Sequence, residues 1–244
     1  MHIRFLGCGD AFGSGGRFNT CFHVTTESGA FLIDCGASSL IAMRKFGVDP
    51  NDVHTIFVSH LHGDHFGGLP FLLLDAQFYS RRTAPLTLVG PPGFRERLAQ
   101  AMEILFPGSL SVERKFSTEV IEIDAGPTLA INGIVVTAFL VEHACGAPPF
   151  ALRLEADAKV LAYTGDTAWT DNLIAAGRNA DLLIAEALTF ARPIRFHLDY
   201  ASLKANFPQI NAKRTILTHM GPDMLAHMGE VSEEVAQDGL IVTV

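Results

Sequence analysis

Residues 58–68 read VSHLHGDHFGG, and four side chains that bind metal ions stand within six positions of this stretch. Imidazole nitrogens and carboxylate oxygens are ligands of zinc and related metals. The stretch overlaps the end of TIFVS, an almost wholly apolar run that is typical of a strand buried on both faces. We therefore interpret the segment after this strand as a metal-binding turn formed by His60, His62, Asp64 and His65.

The composition is that of a chain with a large buried core. Hydrophobic residues make up 48% of the 244 residues and charged residues 18%, which excludes a disordered chain. The net charge of −8 offers no electrostatic footprint for a long polyanion, but a small anionic substrate is compatible because a bound metal supplies positive charge. The four scattered cysteines form no CxxC pair and indicate reduced thiols. No targeting segment or membrane span is evident, so we expect a soluble, cytoplasmic protein without a membrane partner.

Short apolar runs and glycine-rich turns alternate along the first half of the chain. They predict antiparallel strands over IRFLGCG, CFHVTT and AFLIDCG. SSLIAMRKFG predicts a helix with a serine cap that ends at Gly47. The strand LTLVG separates two further predicted helices, GLPFLLLDAQFYS and GFRERLAQAMEILF.

The second half predicts two hairpins and then alternating helices and strands. LAINGIVVTAFLVE contains an Asn-Gly turn, and ALRLEADAKVLAYTG is predicted to turn at Ala156-Asp157. DNLIAAG and ASLKANF are predicted helices, and DLLIAEA and RTILTHM are predicted strands. No linker divides the chain, so we expect one α/β domain over residues 1–244, with mixed sheets and helices outside them.

Polar side chains that bind metals or protons follow the ends of five strand-like runs. Strand ends of α/β sheets converge on a shared crevice, whereas the strands themselves are rigid and buried. The pattern therefore predicts one site assembled from distant segments, with His60, His143, Asp166, Glu186 and His219 at its strand ends.

These motifs together resemble the metallo-β-lactamase superfamily. SHLHGDH resembles its HxHxDH motif, and FLIDCG, His143, YTGDT and LTHM occur in the family's order along nearly the whole chain. The resemblance implies a four-layer αββα sandwich with a dinuclear metal site at one edge of its two sheets. It implies a first metal held by His60, His62 and His143, a second held by Asp64, His65 and His219, Asp166 bridging the two, and Asp34 orienting ligands through hydrogen bonds.

The chemistry of the donor set favours two zinc ions, with manganese or iron as alternatives. Two cations that share a hydroxide lower the pKa of the bound water toward neutrality and produce a nucleophile at physiological pH. Asp64 is expected to accept a proton from the attacking water as well.

A histidine and a glutamate near the C-terminus indicate the branch of the superfamily. His197 in HLDY and Glu186 resemble the pair of the ribonuclease Z-like and phosphodiesterase branch. There the histidine contacts the scissile phosphate and protonates the leaving oxygen, and the glutamate holds it in position. We also predict substrate contacts from Arg192 and Arg195 in ARPIRFH, and from Arg17 and Asn19 in the opening loop GDAFGSGGRFNTC, which resembles the family's glycine-rich loop.

The sequence predicts a dinuclear-metal phosphodiesterase that acts on a small or short phosphodiester. Asp166 follows His143 by 23 positions, which leaves no room for the arm with which the tRNA endonucleases grasp tRNA, so tRNA is disfavoured as a substrate. A carboxylic-ester or lactone hydrolase remains the alternative enzyme, and a metal-binding accessory or regulatory protein without turnover is the alternative outside enzymes. Redox chemistry at two irons ranks lower. A homodimer is compatible with the resemblance.

Overall fold

The computed structural model describes residues 1–244 and consists of two seven-stranded sheets that pack face to face, with helices on both outer sides. The expected four-layer αββα sandwich is confirmed. Twenty-four buried residues fill the space between the sheets, among them Phe5, Phe22 and Tyr163, whose rings pack edge to face. Each such aromatic side chain contributes roughly 2–3 kcal/mol by leaving water. The sheet pair is therefore the rigid scaffold of the molecule.

The first sheet begins antiparallel and continues parallel. Its strand order is β14-β1-β2-β3-β4-β5-β6. The predicted antiparallel pairing of the first three strands is confirmed, and β3 to β6 run parallel. The strands are β1 His2–Gly7, β2 Cys21–Thr26, β3 Gly29–Ile33, β4 Val53–Phe57, β5 Leu86–Gly90, β6 Thr118–Glu122 and β14 Ile241–Thr243.

The second sheet repeats this plan in the order β13-β12-β11-β10-β9-β8-β7. Strands β7 to β10 pair antiparallel with their neighbours, and β10 to β13 run parallel. The strands are β7 Thr128–Ile131, β8 Ile134–Leu140, β9 Phe150–Ala156, β10 Lys159–Tyr163, β11 Leu182–Glu186, β12 Thr215–Thr218 and β13 Glu234–Val235.

The two hairpins of the second sheet turn on residues with positive φ. The predicted Asn132-Gly133 turn is confirmed, with φ values of 49° and 81°. The second turn lies one position later than predicted, on Asp157 and Ala158, because Ala156 still pairs with Lys159 in the ladder.

Seven helices cover the outer faces of the sheets. Those on the first sheet are α1 Ser39–Phe46, α2 Gly63–Phe66, α3 Leu69–Phe78 and α4 Phe94–Leu105; those on the second are α5 Asn172–Gly177, α6 Tyr200–Ile210 and α7 Pro222–Ala226. None of them is both long and apolar enough to span a bilayer.

The ends of α1 show one prediction that was right and one that was wrong. Gly47 ends the helix in the left-handed region with a φ of 67°. Ser38 stands at the N-cap but makes no capping hydrogen bond. Its hydroxyl accepts from the Asn19 N–H at 2.7 Å instead, and so ties the opening loop to this helix.

Candidate metal centre

The predicted site residues meet at one edge of the sandwich, because β4, β8, β10, β11 and β12 all end there. His60 follows β4, His143 follows β8, Asp166 follows β10, and His219 follows β12. Glu186 is the last residue of β11. Two groups of donor atoms result, which we call the outer cluster (His60, His62 and His143) and the inner cluster (Asp64, His65, Asp166 and His219).

The outer cluster consists of imidazoles alone. One ring nitrogen of each histidine lies within 4.8 Å of the others, and His143 Nε2 is 3.0 Å from His62 Nδ1. The His60 side chain is buried, whereas His62 and His143 are half-buried. The outer cluster therefore has an accessible side that His62 and His143 form.

The inner cluster centres on one oxygen of Asp166. Asp166 Oδ2 lies 3.3 Å from His65 Nε2, 3.3 Å from His219 Nε2 and 3.8 Å from His60 Nε2. Asp64 Oδ2 lies 3.2 Å from His65 Nε2. Asp166 Oδ2 thus stands between donors of both clusters, and its bridging of two metals stays a prediction.

Asp34 and Ser59 orient His65 and His60 through contacts with the Nδ1 atoms of the two rings. Asp34 Oδ2 accepts from His65 Nδ1 at 2.7 Å, and Asp34 Oδ1 accepts from the Ser59 N–H at 2.7 Å. The Ser59 hydroxyl donates to Asp34 at 2.8 Å and lies 3.1 Å from His60 Nδ1. These contacts direct Nε2 of both rings toward the site, which is how outer partners set the tautomer of a ligating histidine.

A backbone carbonyl does the same for His143. Its Nδ1 donates to the Phe196 oxygen at 2.9 Å, so Nε2 carries the lone pair that faces His62. Phe196 acts through its backbone carbonyl, so its residue type gives no sign of this role. For Ser59 the only signal in the sequence is its position directly before His60. Sequence reasoning missed both residues.

The donor atoms fit a divalent metal. Buried atoms without a hydrogen-bond partner include His60 Nε2, His65 Nε2, Asp64 Oδ2 and Asp166 Oδ1. An unsatisfied buried polar atom costs about 1–3 kcal/mol, so several at one point are expected only where a ligand satisfies them. His219 adds backbone strain, because a non-glycine residue at its φ of 57° costs roughly 1–3 kcal/mol and such outliers cluster at functional sites.

The electrostatics favour the ligating forms of His60, Asp64 and Asp166. For His65, in contrast, burial lowers the pKa, but Asp166, Asp64 and Asp34 raise it by more. Burial places the pKa of His60 well below its ordinary value, so the ring is neutral. Burial raises the pKa of Asp166. The neighbouring His219 and His65 lower that pKa by more than burial raises it, so it lies well below its usual range. The Asp64 pKa is lowered against burial in the same way, chiefly by His65. Neutral imidazole and ionised carboxylate are the forms that bind metals.

His197 and Glu186 form a hydrogen-bonded pair beside the inner cluster. His197 Nδ1 bonds to Glu186 Oε1, and Glu186 Oε2 accepts from the Thr167 N–H at 2.8 Å. Donor atoms of both residues lie within 4.8 Å of those of Asp166 and His219. Glu186 is fully buried, whereas 22% of the His197 side chain is exposed. Burial lowers the His197 pKa, but the hydrogen bond and charge of Glu186 outweigh it, so the pKa is raised.

The predicted substrate contacts of the opening loop have other partners. The Arg17 guanidinium lies 4.0 Å from Met220 Sδ and 3.8 Å from Met228 Sδ. The Asn19 side chain donates to the Asp10 carbonyl at 3.2 Å. Both residues thus brace the loop next to His219, and their contact with a substrate stays a prediction.

The two arginines near His197 are exposed. Arg195 lies 4.4 Å above the Phe196 ring, and Arg192 points its side chain toward solvent at the surface of the same loop. Neither contacts the two clusters, so their role as phosphate contacts also stays a prediction.

Solved structures of known proteins share this architecture. The short form of human tRNase Z superposes with a TM-score of 0.79 and 25% identity, covering 100% of this chain and 99% of that one. YhfI of Bacillus subtilis, a metallo-β-lactamase fold protein, superposes with a TM-score of 0.78 at 19% identity over 99% of each chain. The fold and the two clusters therefore define a metallo-β-lactamase fold protein of the ribonuclease Z-like branch. More narrowly, the chain belongs to the Anti-Pycsar protein Apyc1 family, whose model matches residues 1–238.

Curated relatives cover part of the chain. Ribonuclease Z of Lachnoclostridium phytofermentans is 33% identical over 144 residues, which are 59% of this chain and 45% of that protein. Ribonuclease BN of Citrobacter koseri is 38% identical over 118 residues, 48% of this chain and 37% of that protein. The matched segment thus spans less than half the length of either relative. The chain is related to metallo-hydrolases, and its own substrate is a matter for proposal.

Proposed function

We propose that this protein is a metal-dependent phosphodiesterase that acts on a small or short phosphodiester, with His197 as the general acid. The observation that carries the proposal is the His197–Glu186 pair beside Asp166 and His219. This pair resembles the histidine and glutamate of the phosphodiesterase branch, in which the histidine protonates the leaving oxygen, and the alkoxide leaving group of a phosphodiester needs such a proton.

The surroundings of His197 support this role. Because Nδ1 is bonded to the buried carboxylate of Glu186, the proton available for transfer is the one on Nε2. The His197 ring stacks parallel to His219 with centroids 5.9 Å apart and lies edge-on to His143 at 5.0 Å. Glu186 stabilises the imidazolium and fixes the ring, so the proton donor is positioned before the substrate arrives.

The remaining roles are divided between the clusters. His60, His62 and His143 would hold one metal, Asp64, His65 and His219 a second, and Asp166 would serve both. Bound metals lower the pKa of a coordinated water and neutralise charge on the phosphoryl oxygens. Zinc fits the imidazole-rich set best, with manganese and iron as alternatives. In this proposal Asp64 accepts the proton of the attacking water, and its buried Oδ2, which has no hydrogen-bond partner, supports that role.

A compact substrate is supported by the segment between His143 and Asp166. It consists of the β9–β10 hairpin and two short connections, with no arm that extends over a large ligand. The names of the ribonuclease relatives support phosphodiester chemistry, whereas the absent arm and the net charge of −8 disfavour tRNA. We therefore expect activity on short phosphodiesters and no processing of precursor tRNA.

Turnover of two phosphodiesters by zinc- and manganese-loaded protein tests the proposal. Bis(p-nitrophenyl) phosphate reports phosphodiester cleavage, and a dinucleotide supplies an alkoxide leaving group. We expect wild type to cleave both, and His197→Ala to lose roughly a hundredfold on the dinucleotide, the magnitude of a positioned general acid. His2→Ala is the matched control, because His2 is exposed on β1 and contacts Thr243.

Two results would overturn the proposal. If wild type cleaves no phosphodiester but hydrolyses esters or lactones, the reaction class is wrong. If His197→Ala cleaves the dinucleotide as fast as His2→Ala, the protein is a phosphodiesterase but His197 is not its general acid.

A further inference from the structure

A pocket of about 170 Å³ lies between the first turns of α4 and the loop that follows β8. Its walls include Leu61, Arg97, Gln100, Gly146 and Ala147. Leu61 separates His60 from His62 in the sequence, and Gly146 follows His143 by three positions. The pocket therefore adjoins the segments that carry His62 and His143, the two half-buried histidines on the accessible side of the outer cluster.

Arg97 is the cation of this pocket, and its guanidinium has no hydrogen-bond or ion-pair partner in the protein. Its closest approach to the facing loop is at Gly146, where Nη2 lies 3.4 Å from the position that a Cβ would occupy. Glu96 is the carboxylate in the same pocket, but its Oε1 accepts from Gln100 at 3.0 Å and forms no ion pair with Arg97. The N–H groups of the Arg97 guanidinium are thus available to a hydrogen-bond acceptor of a bound ligand.

A second arginine two positions away shows the contrast. Arg95 belongs to the same helix but lines a different pocket, and its guanidinium donates to the Val120 carbonyl on β6. Its backbone N–H is bonded to Glu122 at 2.9 Å. The Arg95 guanidinium is therefore hydrogen-bonded within the protein, whereas the Arg97 guanidinium is not. Both arginines carry the same charge and belong to the same helix.

We propose that Arg97 binds the substrate anion at the entrance of the metal centre. This inference rests on the proposed function, because it takes the substrate to be a phosphodiester. A guanidinium presents planar N–H donors that match phosphate oxygens, and a charge at a site entrance raises the capture rate of an anion. The role is pronounced here because the chain carries a net charge of −8, which repels anions elsewhere on its surface. Arg97 thus acts in binding and leaves the chemical step to other residues.

Steady-state kinetics of four variants with bis(p-nitrophenyl) phosphate test this role. We expect Arg97→Ala to raise KM about tenfold with kcat within twofold of wild type, and Arg97→Lys to recover part of the loss. Glu96→Gln should lower KM about twofold, because it removes the negative charge beside Arg97. Arg95→Ala should match wild type, since its guanidinium faces β6. Added salt should lower kcat/KM less steeply in Arg97→Ala than in wild type.

Calorimetric binding of inorganic phosphate to the zinc-loaded proteins separates this inference from the proposed function. If wild type cleaves no phosphodiester, the proposed function fails, and weaker phosphate binding by Arg97→Ala than by Arg95→Ala still supports an anion site. Equal KM and equal phosphate affinity in Arg97→Ala and wild type overturn the inference. So does an equal loss in Arg97→Ala and Arg95→Ala, because it would report the net charge of α4 alone.

Discussion

The inner and outer clusters differ in how firmly the fold holds them. Asp64, His65, Asp166 and His219 are almost wholly buried, and Asp34 braces His65 from beneath. In the outer cluster His60 is buried, but His62 and His143 border solvent, and a loop carbonyl of Phe196 orients His143. The buried inner cluster is therefore suited to retain a metal, and the half-buried outer cluster is suited to admit a substrate.

This difference in burial indicates the side from which a substrate approaches the metal centre. The His197 ring lies 5.0 Å from that of His143, and the Arg97 pocket adjoins the segments that carry His62 and His143. A substrate is expected to approach past His62 and His143 while the inner cluster stays fixed. Changes to the inner cluster should thus cost more than changes around it.

Asp166→Asn is expected to have the largest effect, because one oxygen of Asp166 stands between the two clusters. We expect phosphodiester hydrolysis to fall by about a thousandfold or more, which corresponds to several kcal/mol of lost metal stabilisation of the transition state. Metal content per chain, measured by elemental analysis, should fall at the same time.

His62→Ala is the matched comparison from the outer cluster. It should lower metal content as well, but leave the four donors of the inner cluster in place. If both variants retain the metal content of wild type, the division into two clusters is wrong.

Asp34→Asn should have a smaller effect than Asp166→Asn. The amide keeps the shape but weakens the acceptor that orients His65 and Ser59, and loss of such a partner costs about 10–100-fold in metal affinity or activity. Competition with a chelator measures the affinity. An unchanged affinity would show that the buried position of His65 alone determines its orientation.

The sequence anticipates the residues of the two clusters better than the groups that orient them. Apolar runs predict β4, β10, β11 and β12, and the polar residues at their ends are the ones that meet in space. Local patterns cannot show contacts between distant loops, however. Ser59 and the Phe196 carbonyl became visible as orienting groups only in three dimensions.

The same limit explains the smaller errors and Arg97. The Ser38 hydroxyl follows the usual pattern of a helix cap, yet the Asn19 N–H from the opening loop engages it. The amphipathic pattern of α4 shows which face is core, but not that the loop at Gly146 lies opposite Arg97. In both cases the contact is with a residue that lies far along the chain.

The pH dependence of the rate should show the charge on His197. Burial lowers its pKa, but Glu186 raises it by more, so the imidazolium is retained to a higher pH than in a free histidine and is lost as pH rises through that raised value. We expect kcat to fall by about tenfold per pH unit on the alkaline side. The pH–rate profile of the dinucleotide reaction measures this limb. A profile that is unchanged in His197→Ala would assign the limb to another group.

Ser59→Ala should have the smallest effect. It removes one hydrogen bond to Asp34 and one contact with His60, while the backbone N–H of residue 59 still donates to Asp34. A hydrogen bond to a charged group is worth about 1.5–3 kcal/mol, but Asp34 keeps its bonds to the backbone N–H of residue 59 and to His65, so activity should drop by only about tenfold. A loss as large as that of Asp34→Asn would mean that the hydroxyl is the main support of the clusters.

The dependence of the His197→Ala penalty on the leaving group tests the central claim most directly. A general acid matters more as the leaving oxygen becomes more basic. We predict that His197→Ala loses roughly a hundredfold with an alkoxide leaving group and far less with p-nitrophenolate, which departs without a proton. Equal losses with the two leaving groups would contradict the account, because His197 would then bind or position the substrate without protonating it.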